Sequence, residues 1–182
     1  AGKACTRGCR FCAVDTMRIP PPPEAEEPQK LADAIQIMGL TYSVITVVNR
    51  DDIEDGGASH YRKCLDEVHK RVPEVSLELL CSDLSGNLNA LEVLLDQAPL
   101  QVFAHNIETV PRLTPRVRDP RATFEQSILI LKKAKELRPD IMTKSSIMLG
   151  LGETEEDLID ALKELREANV DLLTLGQYLA PG

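Results

Sequence analysis

Cys5-Thr6-Arg7-Gly8-Cys9-Arg10-Phe11-Cys12 packs three cysteines into eight residues. Thiolates at this Cys-x3-Cys-x2-Cys spacing can close on one metal centre. No fourth cysteine or histidine follows nearby to complete the tetrahedral shell of a structural zinc, so one coordination position is left open. Thiolates are the soft ligands of iron–sulfur clusters, and a four-iron cluster held by only three of them leaves one iron free to bind something else. On spacing alone, a degenerate zinc knuckle or a redox motif remains an alternative. The other two cysteines, Cys64 in a helical pattern and Cys81 at the end of an apolar run, read as small buried hydrophobes.

Downstream of the cysteines, Ile19-Pro20-Pro21-Pro22-Pro23 cannot be helix or central strand and predicts a stiff extended spacer over 19–23. Helix and strand patterns then alternate across 31–182. Leu31 to Met38 reads as helix stopped by Gly39, Tyr42 to Val48 as a β-branched strand, and His60 to Arg71 as helix. Val75 to Leu80 is strand-like, Leu88 to Gln97 helical, and Gln101 to Asn106 strand-like again. Thr123 caps a helix whose apolar residues Phe124, Ile128, Leu131, Ala134 and Leu137 recur near the helical period. Met142 to Leu149 is the next strand. Thr154 with Asp157 forms a variant capping box before the stripe Leu158, Ala161, Leu162 and Leu165, and Leu172 to Leu175 closes the series as a strand. Five strands, each preceded by a helix, predict a parallel α/β fold.

Composition narrows the classes further. At 182 residues the chain fits one domain over 1–182, which at this size buries roughly 70% of its unfolded surface. A net charge of −8 argues against general nucleic-acid or anionic-membrane binding. No apolar run approaches the length of a membrane span, and nothing before the cysteines resembles a secretory signal. Free thiols point to a reducing compartment, cytoplasmic or, in a eukaryote, mitochondrial.

Several motifs together carry a family resemblance. Cys-x3-Cys-x-aromatic-Cys, with Phe11 as the aromatic, resembles the signature of radical S-adenosylmethionine (SAM) enzymes. The run Cys5 to Asp15 is similar to the cluster loop of lipoyl synthases. So are Asn49-Arg50-Asp51-Asp52 with Asp55-Gly56-Gly57, His105 to Arg112, Lys144 to Glu153, and Gly176-Gln177-Tyr178-Leu179. The resemblance implies a partial (β/α)6 TIM-like barrel whose first strand is largely missing here, with the cysteine loop on the C-terminal rim. It implies a [4Fe-4S] cluster on Cys5, Cys9 and Cys12, and SAM cleaved to methionine and a 5′-deoxyadenosyl radical. Sulfur would then enter a protein-bound octanoyl chain at two carbons. The partners implied are an octanoylated lipoyl domain or H protein and a flavodoxin or ferredoxin. A second, auxiliary [4Fe-4S] cluster belongs to the full-length family pattern, and its ligands are absent from this sequence. The alternatives are another radical SAM enzyme, such as a biotin-synthase-like sulfur inserter, or an inert fragment that binds cluster and SAM without turnover.

The same resemblance assigns SAM contacts. Asn106 and Glu108, two apart on one face, would take the ribose hydroxyls or merely satisfy loop backbone groups. Asn49, Arg50 and Asp51 lie where the methionine amino group is expected, and either Asp51 or Asp52 would pair with it or cap the next segment. Phe11 and the Gly150-Leu151-Gly152-Glu153 turn would lie against adenine. That turn lacks the third glycine and the GKS/GKT ending of a phosphate loop. Lys144, with Ser146 and Met148 on the lumen face and Ile147 and Leu149 toward the helices, needs an anion if it points inward. The candidates are Glu108 and the SAM carboxylate. Arg112 to Arg121 holds four arginines against Asp119 alone, a patch suited to an acidic carrier face, the SAM carboxylate or solvent.

Overall fold

The computed structural model describes residues 1–180. Its elements run α1 (Glu27–Met38), β1 (Tyr42–Thr46), α2 (Ala58–Arg71), β2 (Ser76–Leu80), a short 3-10 turn (Leu84–Gly86), α3 (Leu88–Leu95) and β3 (Val102–Ala104). They continue α4 (Thr114–Val117), α5 (Phe124–Leu137), β4 (Met142–Leu149), α6 (Glu155–Glu167) and β5 (Leu172–Gln177). All neighbouring strands pair in parallel, in the order β1-β2-β3-β4-β5. Strands placed in chain order, each reached through a helix, curl into half of a barrel.

The helix boundaries follow local chemistry. Gly39 takes φ 61° and ends α1, a conformation a residue with a Cβ resists. Thr123 Oγ1 accepts from Gln126 N at 3.1 Å at the start of α5. Thr154 and Asp157 close a reciprocal capping box on α6. Helix α1 begins at Glu27, ahead of the expected Leu31, because Pro28 fits a first turn that needs no N–H donor. Strand β3 is only Val102–Ala104, shorter than the expected Gln101 to Asn106. Beyond it His105 N still donates to Lys144 O at 3.0 Å, after which the chain turns across the strand ends. Helix α4 had no apolar period to announce it. Residues Pro20 to Pro23 join no helix or ladder, as a proline run must.

Alternation along the strands separates two faces. Leu77 and Leu79 of β2 and Ile147 of β4 are fully buried under the helices. Glu78, Lys144, Ser146 and Met148 occupy the other, concave face. The helix side holds two apolar clusters, one around Leu65, Leu79 and Phe103 and one around Ile107, Leu131 and Ile147. Together they fix the sheet whose C-terminal ends carry the loops described next.

Candidate active site

The cysteine loop is tied to the sheet by its backbone. Cys5 N donates to Asp15 O and Met17 N donates to Cys5 O, both at 2.9 Å, which closes the loop on itself. Thr6 N donates to Asn49 O at 3.0 Å and Arg10 N to Val117 O at 2.9 Å. The three thiols each accept one backbone N–H: Cys5 Sγ from Arg7 at 3.4 Å, Cys9 Sγ from Asp119 at 3.3 Å, and Cys12 Sγ from Val14 at 3.5 Å. All three line a cleft of about 220 Å³ together with Phe11, Asn49, Asn106, Glu108 and Arg118. Cys64 and Cys81 are buried free thiols. Burial pushes both up, against ionisation.

Beneath the loop lies an ionic anchor that sequence reading missed. Arg7 is buried, and its guanidinium donates to Asp51 from Nε and Nη2 and to Asp83 Oδ2 from Nη1 at 2.6 Å. Asp51 also accepts from Thr6 Oγ1 at 2.6 Å and Ser85 Oγ at 2.7 Å, and Arg121 Nη1 lies 3.2 Å from it. Both carboxylates expected near a ligand ammonium have protein partners here. Asp51 is saturated by protein donors, and Asp52 is paired with Arg50 through two hydrogen bonds at 2.8 and 2.9 Å. Arg50 itself is buried and donates to Ala1 O and Pro21 O, so it tethers the N-terminal segment and proline spacer rather than facing the cleft. Asn49, one residue earlier, does line it.

Glu108 is held in a strained conformation. Its φ is 67°, in the left-handed region that non-glycine residues avoid. The backbone is pinned there because Glu108 N donates to Ser146 O at 3.1 Å and Met148 N donates to Glu108 O at 2.9 Å. Burial pushes its carboxyl above the usual range, and the Arg118 charge and the Asn106 side chain partly offset that. Asn106 and Glu108 both reach the cleft, although they lie beyond β3 in a loop where strand alternation no longer applies.

The remaining expected contacts are dispersed. Lys144 finds its anion in Glu78, at 2.8 Å, instead of Glu108. Glu78 also accepts from the Tyr42 hydroxyl, whose titration burial and Glu78 push up to about 12. Gly150, Gly152, Glu153 and Lys144 are not among the cleft-lining residues. Glu153 folds its own turn, accepting from Gly150 N at 2.6 Å and Leu151 N at 2.9 Å. A Cβ at Gly150 would sit 2.6 Å from Gln177 Nε2, and φ is 99° there. The arginine patch also divides: Arg112 pairs with Asp157, Arg121 with Asp119, and Arg116 is exposed. Arg118 alone of the four is buried and faces the cleft.

Comparison with known proteins bears on this geometry. A family model described as the radical SAM superfamily matches residues 1–176. The chain belongs to the radical SAM superfamily. It is 53% identical to the mitochondrial lipoyl synthase of Branchiostoma floridae over 180 residues, 99% of this chain and 48% of that protein. It is equally identical to the lipoyl synthase of Thermus thermophilus, covering 55% of it. The chain thus spans about half the length of the curated relatives it matches. A radical SAM enzyme of solved structure, coproporphyrinogen III oxidase from Escherichia coli, superposes with a TM-score of 0.63 at 18% identity over 97% of this chain and 42% of that one. At that identity the likeness speaks to the fold.

Membership of the radical SAM superfamily implies an iron–sulfur cluster and SAM, and the residues present fit them. Among the described residues no three His, Cys, Asp or Glu side chains gather tightly enough for a single ion. A four-iron cluster asks for something else, since each thiolate meets a different iron and the sulfurs stand apart around it. Three thiols around one cleft, each receiving an N–H, meet that demand, because hydrogen bonds to sulfur favour the ionised ligand. Burial raises the Cys9 thiol, and the Asp119 N–H pulls it back. Among the described residues no helix is long and apolar enough to cross a membrane.

Proposed function

We propose that this chain is the radical SAM core of a lipoyl synthase, acting in sulfur insertion at two carbons of a protein-bound octanoyl chain. The observation that carries the reading is identity of 50 to 54% to lipoyl synthases over 180 residues, in a chain whose three motif cysteines line one cleft. A [4Fe-4S] cluster, when bound, supplies the electron for reductive cleavage of SAM. Cys5, Cys9 and Cys12 hold that cluster. Asn106 and Glu108 accept hydrogen bonds from the ribose hydroxyls, Phe11 and Asn49 border the ligand, and Arg118 receives its carboxylate. Gly152 leaves room for adenine beyond the cleft, Gly150 makes way for the Gln177 side chain, and Glu153 shapes their turn. Arg50, Asp51 and Lys144 act on the scaffold through the ion pairs described above.

Substrate and partners follow the same reading. The octanoyl group arrives on a lipoyl domain or H protein, and a flavodoxin or ferredoxin delivers electrons. The inserted sulfur comes from an auxiliary cluster held by cysteines other than Cys64, buried in α2, and Cys81, which borders the cleft but is a single buried thiol. The named relatives are mitochondrial, chloroplastic or bacterial, and the proposed compartment is the matrix, stroma or cytosol accordingly. The test is mass spectrometry after anaerobic incubation of the reconstituted chain with reductant, SAM and octanoylated carrier. Formation of 5′-deoxyadenosine without sulfur addition is expected. Absence of any SAM cleavage would overturn the radical SAM reading, and two sulfurs added with no other protein present would overturn the assignment of the sulfur to an auxiliary cluster.

A further inference from the structure

Three arginines of this chain are buried, and they are not treated alike. Arg7 and Arg50 are each matched by carboxylates at hydrogen-bond distance. Arg118 is 8% exposed, and among the described residues it forms no ion pair within 4.0 Å. Its Nε is buried with no partner. A guanidinium removed from water without an ion-pair partner is costly, and the Glu108 and Asp83 charges act on Arg118 only from beyond ion-pair distance, so its position on the cleft beside Cys9 and Glu108 calls for an anionic ligand.

A directional chain of hydrogen bonds runs from Arg118 through Ser127 to His105, which itself borders the cleft. Arg118 Nη1 donates to Ser127 Oγ at 2.7 Å, Ser127 Oγ lies 2.9 Å from His105 Nε2, and His105 Nδ1 lies 2.9 Å from Cys81 O. A carbonyl only accepts, so the proton of a neutral ring sits on Nδ1 and Nε2 is an acceptor. The Ser127 hydroxyl then donates to Nε2, in preference to the longer 3.2 Å contact with Thr123 O, and presents its lone pairs to Arg118. Each link fixes the polarity of the next. His105 and Ser127 are both buried, and burial pushes His105 down to about 4, which keeps the ring in that neutral form near neutral pH.

We propose that Ser127 and His105 are positioning residues that aim the Arg118 guanidinium at the carboxylate of a ligand in the cysteine-lined cleft. The inference rests on the SAM-binding reading above. Ser127 sits in the first turn of α5 and His105 just after β3, so two elements outside the cysteine loop set the orientation of the clamp. Without Ser127 the guanidinium loses its one hydrogen-bond acceptor among the described residues and is free to rotate. The binding cost then falls on the carboxylate contact and leaves the nucleoside contacts intact.

The test compares SAM with decarboxylated SAM on the anaerobically reconstituted chain, reading the dissociation constant from the perturbation of the reduced cluster's electron paramagnetic resonance and from equilibrium dialysis. Ser127→Ala is expected to weaken SAM binding about tenfold and to leave decarboxylated SAM unchanged, with iron content near wild type and a lowered thermal midpoint because Arg118 and His105 lose a buried partner. His105→Gln, which can still reach Ser127 with either end of its amide, should lie between the two. Equal losses for both ligands in Ser127→Ala, or no loss for either, would overturn the positioning role. Wild-type protein that binds both ligands equally would remove the carboxylate clamp while leaving the radical SAM reading intact. Wild-type protein that binds neither would overturn that reading itself.

Discussion

Arg7 donates from Nε and Nη2 to both carboxylate oxygens of Asp51, at distances from 2.7 to 3.2 Å, and this pair joins the cysteine loop to the Asn49-to-Asp52 segment that follows β1. Burial alone would push Asp51 up, yet the hydrogen bonds from Arg7, Thr6 and Ser85 more than reverse that and hold it well below the usual carboxylate range. A depressed folded-state value means that the stabilisation is present above the ordinary carboxylate value of about 4 and is lost as pH falls below it. Asp83 and Asp119, also depressed and also tied to the loop, act in the same direction. Asp51→Ala should therefore cost on the order of 3 kcal/mol in urea unfolding at pH 7 and lower iron retention. Between about pH 4 and pH 2 the gap from wild type should narrow. A gap that widens toward acid would contradict the pairing.

The cysteine assignment is checked by iron. Cys5→Ala, Cys9→Ala and Cys12→Ala should each prevent stable cluster assembly, since every one removes a ligand of the triad that lines the cleft, where the further cysteine, Cys81, is a buried thiol held against ionisation. Cys64→Ala should retain full iron and the brown absorption, because that thiol is buried among helices. Iron lost from Cys64→Ala and kept in Cys9→Ala would reverse the assignment.

Glu108 offers a trade between strain and binding. Glu108→Ala should weaken SAM affinity about tenfold by removing a charged acceptor, with the backbone still at its positive φ. Glu108→Gly removes the same acceptor and relieves the conformation, so it should be about 1 kcal/mol more stable than Glu108→Ala in thermal unfolding while binding no better. Full SAM affinity in both variants would show that Glu108 is structural.

Lys144 distinguishes scaffold from site. Because Glu78 is its partner, Lys144→Met should leave a buried, unpaired carboxylate and destabilise the protein by about 3 kcal/mol without changing SAM affinity. The double variant Lys144→Met with Glu78→Leu should regain much of that loss, since a well-packed apolar pair often matches a buried ionic one. A double variant as unstable as the single one would mean that the Tyr42–Glu78 contact carries the stability.

Much of the architecture follows from local rules that operate within a few residues. Alternation, caps and proline placement fix the order of five strands and their intervening helices, and the Thr154–Asp157 box forms because its partners are three residues apart. The cysteine triad is legible for the same reason, whereas Asn106 and Glu108, expected on one strand face, reach the cleft from a loop beyond β3. What the linear sequence leaves open is pairing between residues far apart in the chain. Lys144 meets Glu78 across 66 positions and Arg7 meets Asp83 across 76, and spacing says nothing about either. Four clustered arginines read as one patch, yet the fold sends Arg112 to α6, Arg121 to the cysteine loop, and Arg118 inward to Ser127. Charge recognition depends on distance in space and on exclusion of water, and the chain acquires both only when the sheet curls and brings its C-terminal loops together.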